Sequence, residues 1–225
     1  MLTCRALSAL LSYPRPELKA ETGAAAHILR SEGILTGSHL EKVCQFLARI
    51  VVTPQLEAES SWIDAFDRGR STSLYLFEHI HGESRDRGQA MVRLLARYRA
   101  HGLELQSIEL PDFLPLFLEF LSTCRQDEAT KYLSEVGDIV ARIGQRLRKR
   151  GAPHACLLEA IASLVSGNAH DEASEASQED RDDSPAALDA AWEESPVTFD
   201  NATLSTAERL VGATIQGQRT AIQKN

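Results

Sequence analysis

Apolar positions recur along this chain at intervals of three and four, the spacing that puts side chains on one face of a helix. Leu7, Leu10 and Leu11 form a short first face, ended at Tyr13-Pro14-Arg15-Pro16, where proline removes a donor and restricts the residue before it. Pro16 suits the first turn of a second helix running towards Arg30, and Gly33 and Gly37 mark the loop after it. Ser38 and Glu41 have the spacing of a capping box, followed by Leu40, Val43, Cys44, Leu47 and Ile50 or Val51. Thr53-Pro54 then opens a helix through Trp62, Ile63 and Phe66.

The next stretch, Ser71 to Tyr98, carries the most information. Leu74, Phe77 and Ile80 share one helical face, with Tyr75, Glu78 and His81 on another. Gly82 suits a left-handed helix end, Ser84 a cap for the next helix, and Met91, Leu94, Leu95 and Tyr98 the buried face of that helix. After a connector, Asp112 is placed as an N-cap and Pro115 early in a helix. Phe113, Leu114, Leu116, Phe117, Leu118, Phe120 and Leu121 make that helix apolar on nearly all sides. Such a helix is expected at the hydrophobic centre, packed on the Leu74 and Met91 faces. One long helix is predicted from Ala129 through Tyr132, Leu133, Val136, Ile139, Val140 and Ile143 to Leu147. Its basic end (Arg146, Arg148, Lys149, Arg150) complements the helix dipole before Gly151. Pro153 starts a last helix with Leu157, Leu158, Ile161, Leu164 and Val165 inward.

No strand-like alternation competes, so the predicted fold is an all-α, single-domain helical bundle over residues 1–165. From Ser166 the composition turns acidic and small, which predicts a disordered acidic linker and flexible tail over 166–225. A short apolar island at 192–199 (Trp192, Val197, Phe199) interrupts it. The 225 residues, 43% hydrophobic, suffice for one core. A net charge of −8 argues against a nucleic-acid partner. Cys4, Cys44, Cys124 and Cys156 stand far apart with no C-x-x-C pair, as free thiols in a reducing compartment do. No apolar run reaches the roughly 20 residues of a membrane span, and no signal peptide is evident, so a cytoplasmic protein without direct membrane insertion is expected.

Between the two apolar faces of the central stretch lies EHIHGESRDRGQ, a hinge dense in hydrogen-bonding groups. A solvated helix start accounts for part of it. A groove that grips the polar atoms of a guest accounts for the rest. His79 and His81, two apart, do not share a coordinating edge, so neither metal nor cofactor is expected here. The chain has no P-loop, dinucleotide fingerprint, nucleophile elbow or H-E-x-x-H motif, and a binding protein rather than an enzyme is expected.

The run LFEHIHGESRDRGQAM, together with ELPDFLPLFLEFL at Glu109 to Leu121, LSYP at Leu11 to Pro14 and EESPVTF at Glu193 to Phe199, resembles the NarJ-type assembly chaperones of respiratory nitrate reductase. These are a branch of the TorD/DmsD family. The resemblance spans the start to about Val165, with an island near Phe199. It implies a dedicated chaperone that holds the N-terminal segment of the catalytic (alpha) subunit until the molybdenum cofactor is inserted, and that stays outside the finished enzyme. It further implies client contacts at Tyr75, Leu76, Glu78, His79, His81, Glu83, Arg85, Asp86, Arg87, Gln89, Pro111, Asp112, Glu119 and Phe120. Among these, Asp112 as a helix cap and Arg87 paired with Glu83 are the expected hinge-holding exceptions. Competing readings are a chaperone for another molybdoenzyme with a twin-arginine leader and a small metal-dependent helical enzyme using His79, His81 and Glu83.

Overall fold

The computed structural model describes residues 1–81, 86–106 and 108–166. They form ten α-helices: α1 (Leu2–Leu11), α2 (Leu18–Glu32), α3 (Gly37–Val52), α4 (Gln55–Phe66), α5 (Glu78–His81), α6 (Asp86–Ala100), α7 (Leu114–Thr123), α8 (Gln126–Ser134), α9 (Gly137–Lys149) and α10 (Ala155–Ser166). A single 3₁₀ turn spans Arg70–Thr72. The expected all-α bundle is therefore the fold. Gly82, Ser84 and the segment from 167 onward, with its predicted linker and island, lie outside the described residues.

Three helices make the centre. α1 packs on α7 and also touches α2 and α10, while α10 lies against α9 and α3. Both α1 and α7 are buried nearly all round: Leu7, Leu11, Leu114, Leu118 and Leu121 are all fully enclosed. Each such side chain contributes on the order of 1.5–3 kcal/mol through loss of apolar surface. Hence α7 is the apolar centre as predicted, but its principal partner is α1 rather than the Leu74 and Met91 faces. The first amides of α1 are capped from another helix. Glu32, at the end of α2, accepts from the Leu2 and Thr3 N–H groups at 2.8 and 2.5 Å. Burial alone would raise the Glu32 pKa, but those hydrogen bonds and the nearby N-terminal charge outweigh it and hold it below the usual carboxylate range.

Four local expectations change. α3 starts at Gly37 with Thr36 in the N-cap position, not at a Ser38–Glu41 box. The predicted long helix is two, α8 and α9, because the chain leaves helical geometry at Val136 (φ −119°, ψ 1°) just before Gly137, a poor helix former. Leu74–Phe77, predicted helical, is instead a bend, an isolated bridge at Tyr75 and a turn, and only Glu78–His81 is helical, leaving Ile80 half exposed. Finally, Asp112 does not cap α7, whose N-cap position is Phe113.

Candidate functional site: the elbow and its cleft

The segment leading into α5 pairs with the entry to α7. Tyr75 and Phe113 form an antiparallel bridge, flanked by Leu76 N–H to Asp112 O at 3.0 Å and Leu114 N–H to Leu74 O at 2.8 Å. This pairing satisfies backbone groups that a buried, non-helical stretch would otherwise leave orphaned. The Asp112 side chain extends the ladder: its Oδ2 accepts from the Phe77 N–H at 3.0 Å. Asp112 is fully buried, and burial raises its pKa above the ordinary value, against the lowering pull of that hydrogen bond and of Arg87.

Other polar residues of the motif are also consumed in holding the elbow. The His79 Nε2 lies 2.9 Å from Ser73 O, and burial lowers the His79 pKa. The Tyr75 hydroxyl donates to Glu109, and burial followed by that carboxylate drives the phenol pKa up. Tyr98 donates to the carbonyl of Pro111 at 2.8 Å. Arg87 reaches Glu78 at 3.4 Å, tying α6 to α5, while Glu83, its expected partner, lies outside the described residues. The basic end of α9 grips the approach: Arg146 donates to Ser71 O at 2.9 Å, and Arg150 to Ser71 Oγ and Thr72 Oγ1 at 3.0 and 3.2 Å. Those cations thus serve as tertiary clamps and do more than complement a dipole.

Beside the elbow lies a cleft of ≈ 240 Å³. Its floor is apolar (Leu76, Phe77, Ala90, Leu94, Phe117, Val136), and His81, Arg93, Arg97 and Glu135 line it with polar groups. Arg97 and Glu135 meet at 3.0 Å, and the Arg97 guanidinium also stacks 4.4 Å from the centre of the Tyr132 ring. Arg93, exposed, makes no ion pair with a described residue. Two other hollows differ in kind. One, beside the proline turn, is lined by Leu10, Leu18, Phe46, Trp62 and His154 but has only ≈ 50 Å³ of space, room for a water or two. The other is open and mostly polar, lined by Arg49, Glu57, Asp64, Arg68 and Arg150.

Of the residues carried over by resemblance, Leu76 and His81 line the cleft. Asp86 and Gln89 are exposed on the first turns of α6, while Glu119 is exposed on α7. Pro111, Asp112 and Phe120 are buried, and Tyr75, Glu78, His79 and Arg87 are half-buried elements of the elbow itself. Glu83 and Arg85 lie outside the described residues. The cleft also contains residues not anticipated from the sequence: Phe77, Ala90, Arg93, Leu94, Arg97, Phe117, Glu135 and Val136. Part of that set had a signal, since Ala90, Arg93, Leu94 and Arg97 occupy i, i+3, i+4 and i+7 of one helix.

Comparison with known proteins identifies the family. The family described as nitrate reductase delta subunit matches residues 35–160. A probable nitrate reductase molybdenum cofactor assembly chaperone, NarW of Escherichia coli K12, is 42% identical over 90% of this chain and 87% of its own. The chaperone NarJ of the same strain is 42% identical over 86% of this chain and 83% of its own. A probable NarJ of Bacillus subtilis is 30% identical over 73% and 88%. A likeness covering 90% of the chain cannot stop near Val165, so it extends further into the C-terminal stretch than the quoted motifs alone suggest. By family match and by identity along most of its length, the chain belongs to the nitrate reductase delta subunit family.

Proposed function

We propose that this chain is a dedicated assembly chaperone of respiratory nitrate reductase. It holds the N-terminal segment of the apo catalytic subunit in the elbow cleft until the molybdenum cofactor is inserted. Its role is to bind and release, not to catalyse, and it stays outside the finished enzyme. The observation that carries this reading is the cleft itself, an apolar floor with Arg93, a cation with no ion pair among the described residues, at the rim beside the polar motif. An amphipathic segment can lay its apolar face on Leu76, Phe77, Leu94 and Val136 while Arg93 and His81 hold carbonyls or a carboxylate. Ordering such a segment costs about 2–5 kcal/mol, which keeps affinity moderate and permits release. The names of the relatives support the client's identity. No described helix is long and apolar enough to cross a membrane. Residues 1–165 serve as the chaperone domain, 166–225 as an acidic linker and tail, and the complex forms in the cytoplasm.

Isothermal titration with a peptide from the start of a nitrate reductase catalytic subunit tests the proposal. Saturable micromolar binding that weakens about tenfold in Arg93→Glu is expected. Absence of heat at high micromolar peptide, or stronger binding to the leader of a different molybdoenzyme measured alongside, would overturn it.

A further inference from the structure

At the far end of α6 from the elbow, three side chains of different chemistry converge. His101 follows the last turn of α6, Cys124 follows α7, and Glu128 sits in the first turn of α8. Their imidazole nitrogen, sulfur and carboxylate oxygen all lie within 4.8 Å of one another. Tetrahedral zinc, with contacts of about 2.0–2.3 Å, needs ligand atoms roughly 3.3–3.7 Å apart, so small side-chain adjustments close the set.

Hydrogen bonding fixes which atom of the histidine faces the others. The His101 Nδ1 lies 2.9 Å from the carbonyl oxygen of Arg97. A carbonyl only accepts, so Nδ1 carries the proton and Nε2 of the neutral ring presents a lone pair. That lone pair faces Glu128 Oε1 at 3.0 Å, which already accepts from the Tyr132 hydroxyl at 3.1 Å. Two electron-rich atoms at this separation require something positive between them: a proton on Nε2, or a metal ion. The buried Cys124, whose thiol donates to the Phe120 carbonyl at 3.6 Å, brings a third donor atom within reach of both and favours the second answer. A backbone carbonyl orienting Nδ1–H and a hydroxyl steadying the carboxylate are the supporting contacts that metal-bound His and Glu need.

We infer that His101, Cys124 and Glu128 form a binding site for one zinc-class divalent cation. A thiolate and a carboxylate together neutralise the ion, and the imidazole completes a mixed N/S/O set that selects zinc over magnesium or calcium. The rings of Phe120 and Tyr132, 5.1 and 6.2 Å from the imidazole, wall the site. Two positive groups oppose the ion, and both are engaged elsewhere: Arg97 with Glu135 at 3.0 Å, and the N-terminal ammonium with Ser122 O at 3.1 Å. The ion ties the end of α6, one wall of the cleft, to the α7–α8 junction. The inference stands independently of the client reading.

The test uses the full chain, purified without a metal-binding tag, stripped with chelator and titrated with Co²⁺. One equivalent is expected to give a thiolate-to-cobalt charge-transfer band with tetrahedral d–d bands, both displaced by Zn²⁺. Cys124→Ser should abolish the charge-transfer band, and His101→Gln should weaken Co²⁺ binding at least tenfold. Cys44→Ser and Cys156→Ser should change neither. Circular dichroism follows folding, and His101→Gln, at an exposed position, carries the test should Cys124→Ser fail to fold. No band in the parent chain, or a band that survives both Cys124→Ser and His101→Gln, overturns the site and leaves an imidazolium–carboxylate pair.

Discussion

The carboxylate of Asp112 shows how one residue can look like a helix cap and be something else. From the sequence it stands where an N-cap stands, but its Oδ2 serves the Phe77 amide across the elbow. Asp112→Ala is expected to cost about 1–3 kcal/mol in urea unfolding, because it leaves the half-buried Phe77 N–H without its acceptor. Asp112→Asn, which retains an acceptor, should cost clearly less. His154 makes a second prediction. Buried between Phe46 and Phe66, its pKa is lowered from 6.5 to about 4, by burial first and by Arg49 second. As pH falls below 6.5 the unfolded chain takes up a proton that the folded chain resists until about 4. Stability is therefore fully present above that window and is lost across it, by on the order of 3 kcal/mol at its lower edge. Unfolding free energies from pH 7 to 4 should fall more steeply in the parent chain than in His154→Leu.

At the scale of elements, two helical glycines separate propensity from packing. A Cβ on Gly23 of α2 meets nothing within 4 Å, so Gly23→Ala should stabilise by about 0.5–1 kcal/mol. A Cβ on Gly144 of α9 would lie 3.1 Å from the Leu158 Cβ of α10, an atom fixed to a helix backbone and unable to swing away. Overpacking of about 1–3 kcal/mol then exceeds the propensity gain, and Gly144→Ala should lower the melting temperature. The α9 clamp is expected to matter locally: Arg150→Ala should speed amide exchange at Leu74–Phe77, which a purely dipole-complementing arginine would leave unchanged. Most helices were legible because their apolar period is local. The elbow was not, since Leu74 and Phe77 keep a helical spacing while the Leu74 carbonyl accepts from the Leu114 amide and the Phe77 amide donates to the Asp112 side chain, a pairing set by tertiary contact. Likewise the α8–α9 break hides inside an apolar period that continues through Val136.

For the whole molecule, the motif residues divide between building the elbow and lining the cleft beside it. Tyr75, His79, Arg87 and Asp112 build the elbow, and the cleft beside it is finished by residues from α6, α7 and the α8–α9 junction that only the fold brings together. Core and cleft are therefore separable by substitution. Leu118→Ala, fully buried on α7 and outside the cleft lining, should cost roughly 2–5 kcal/mol of stability, whereas Arg93→Ala should weaken client binding and leave unfolding unchanged. The most direct test of the elbow cleft as the client's seat is site-specific photo-crosslinking. A photoreactive residue is placed at Arg93, and in a second protein at Ser61, beside the other two hollows. Adducts between position 93 and the N-terminal segment of the catalytic subunit, with none from position 61, are the predicted result; the reverse pattern would contradict it.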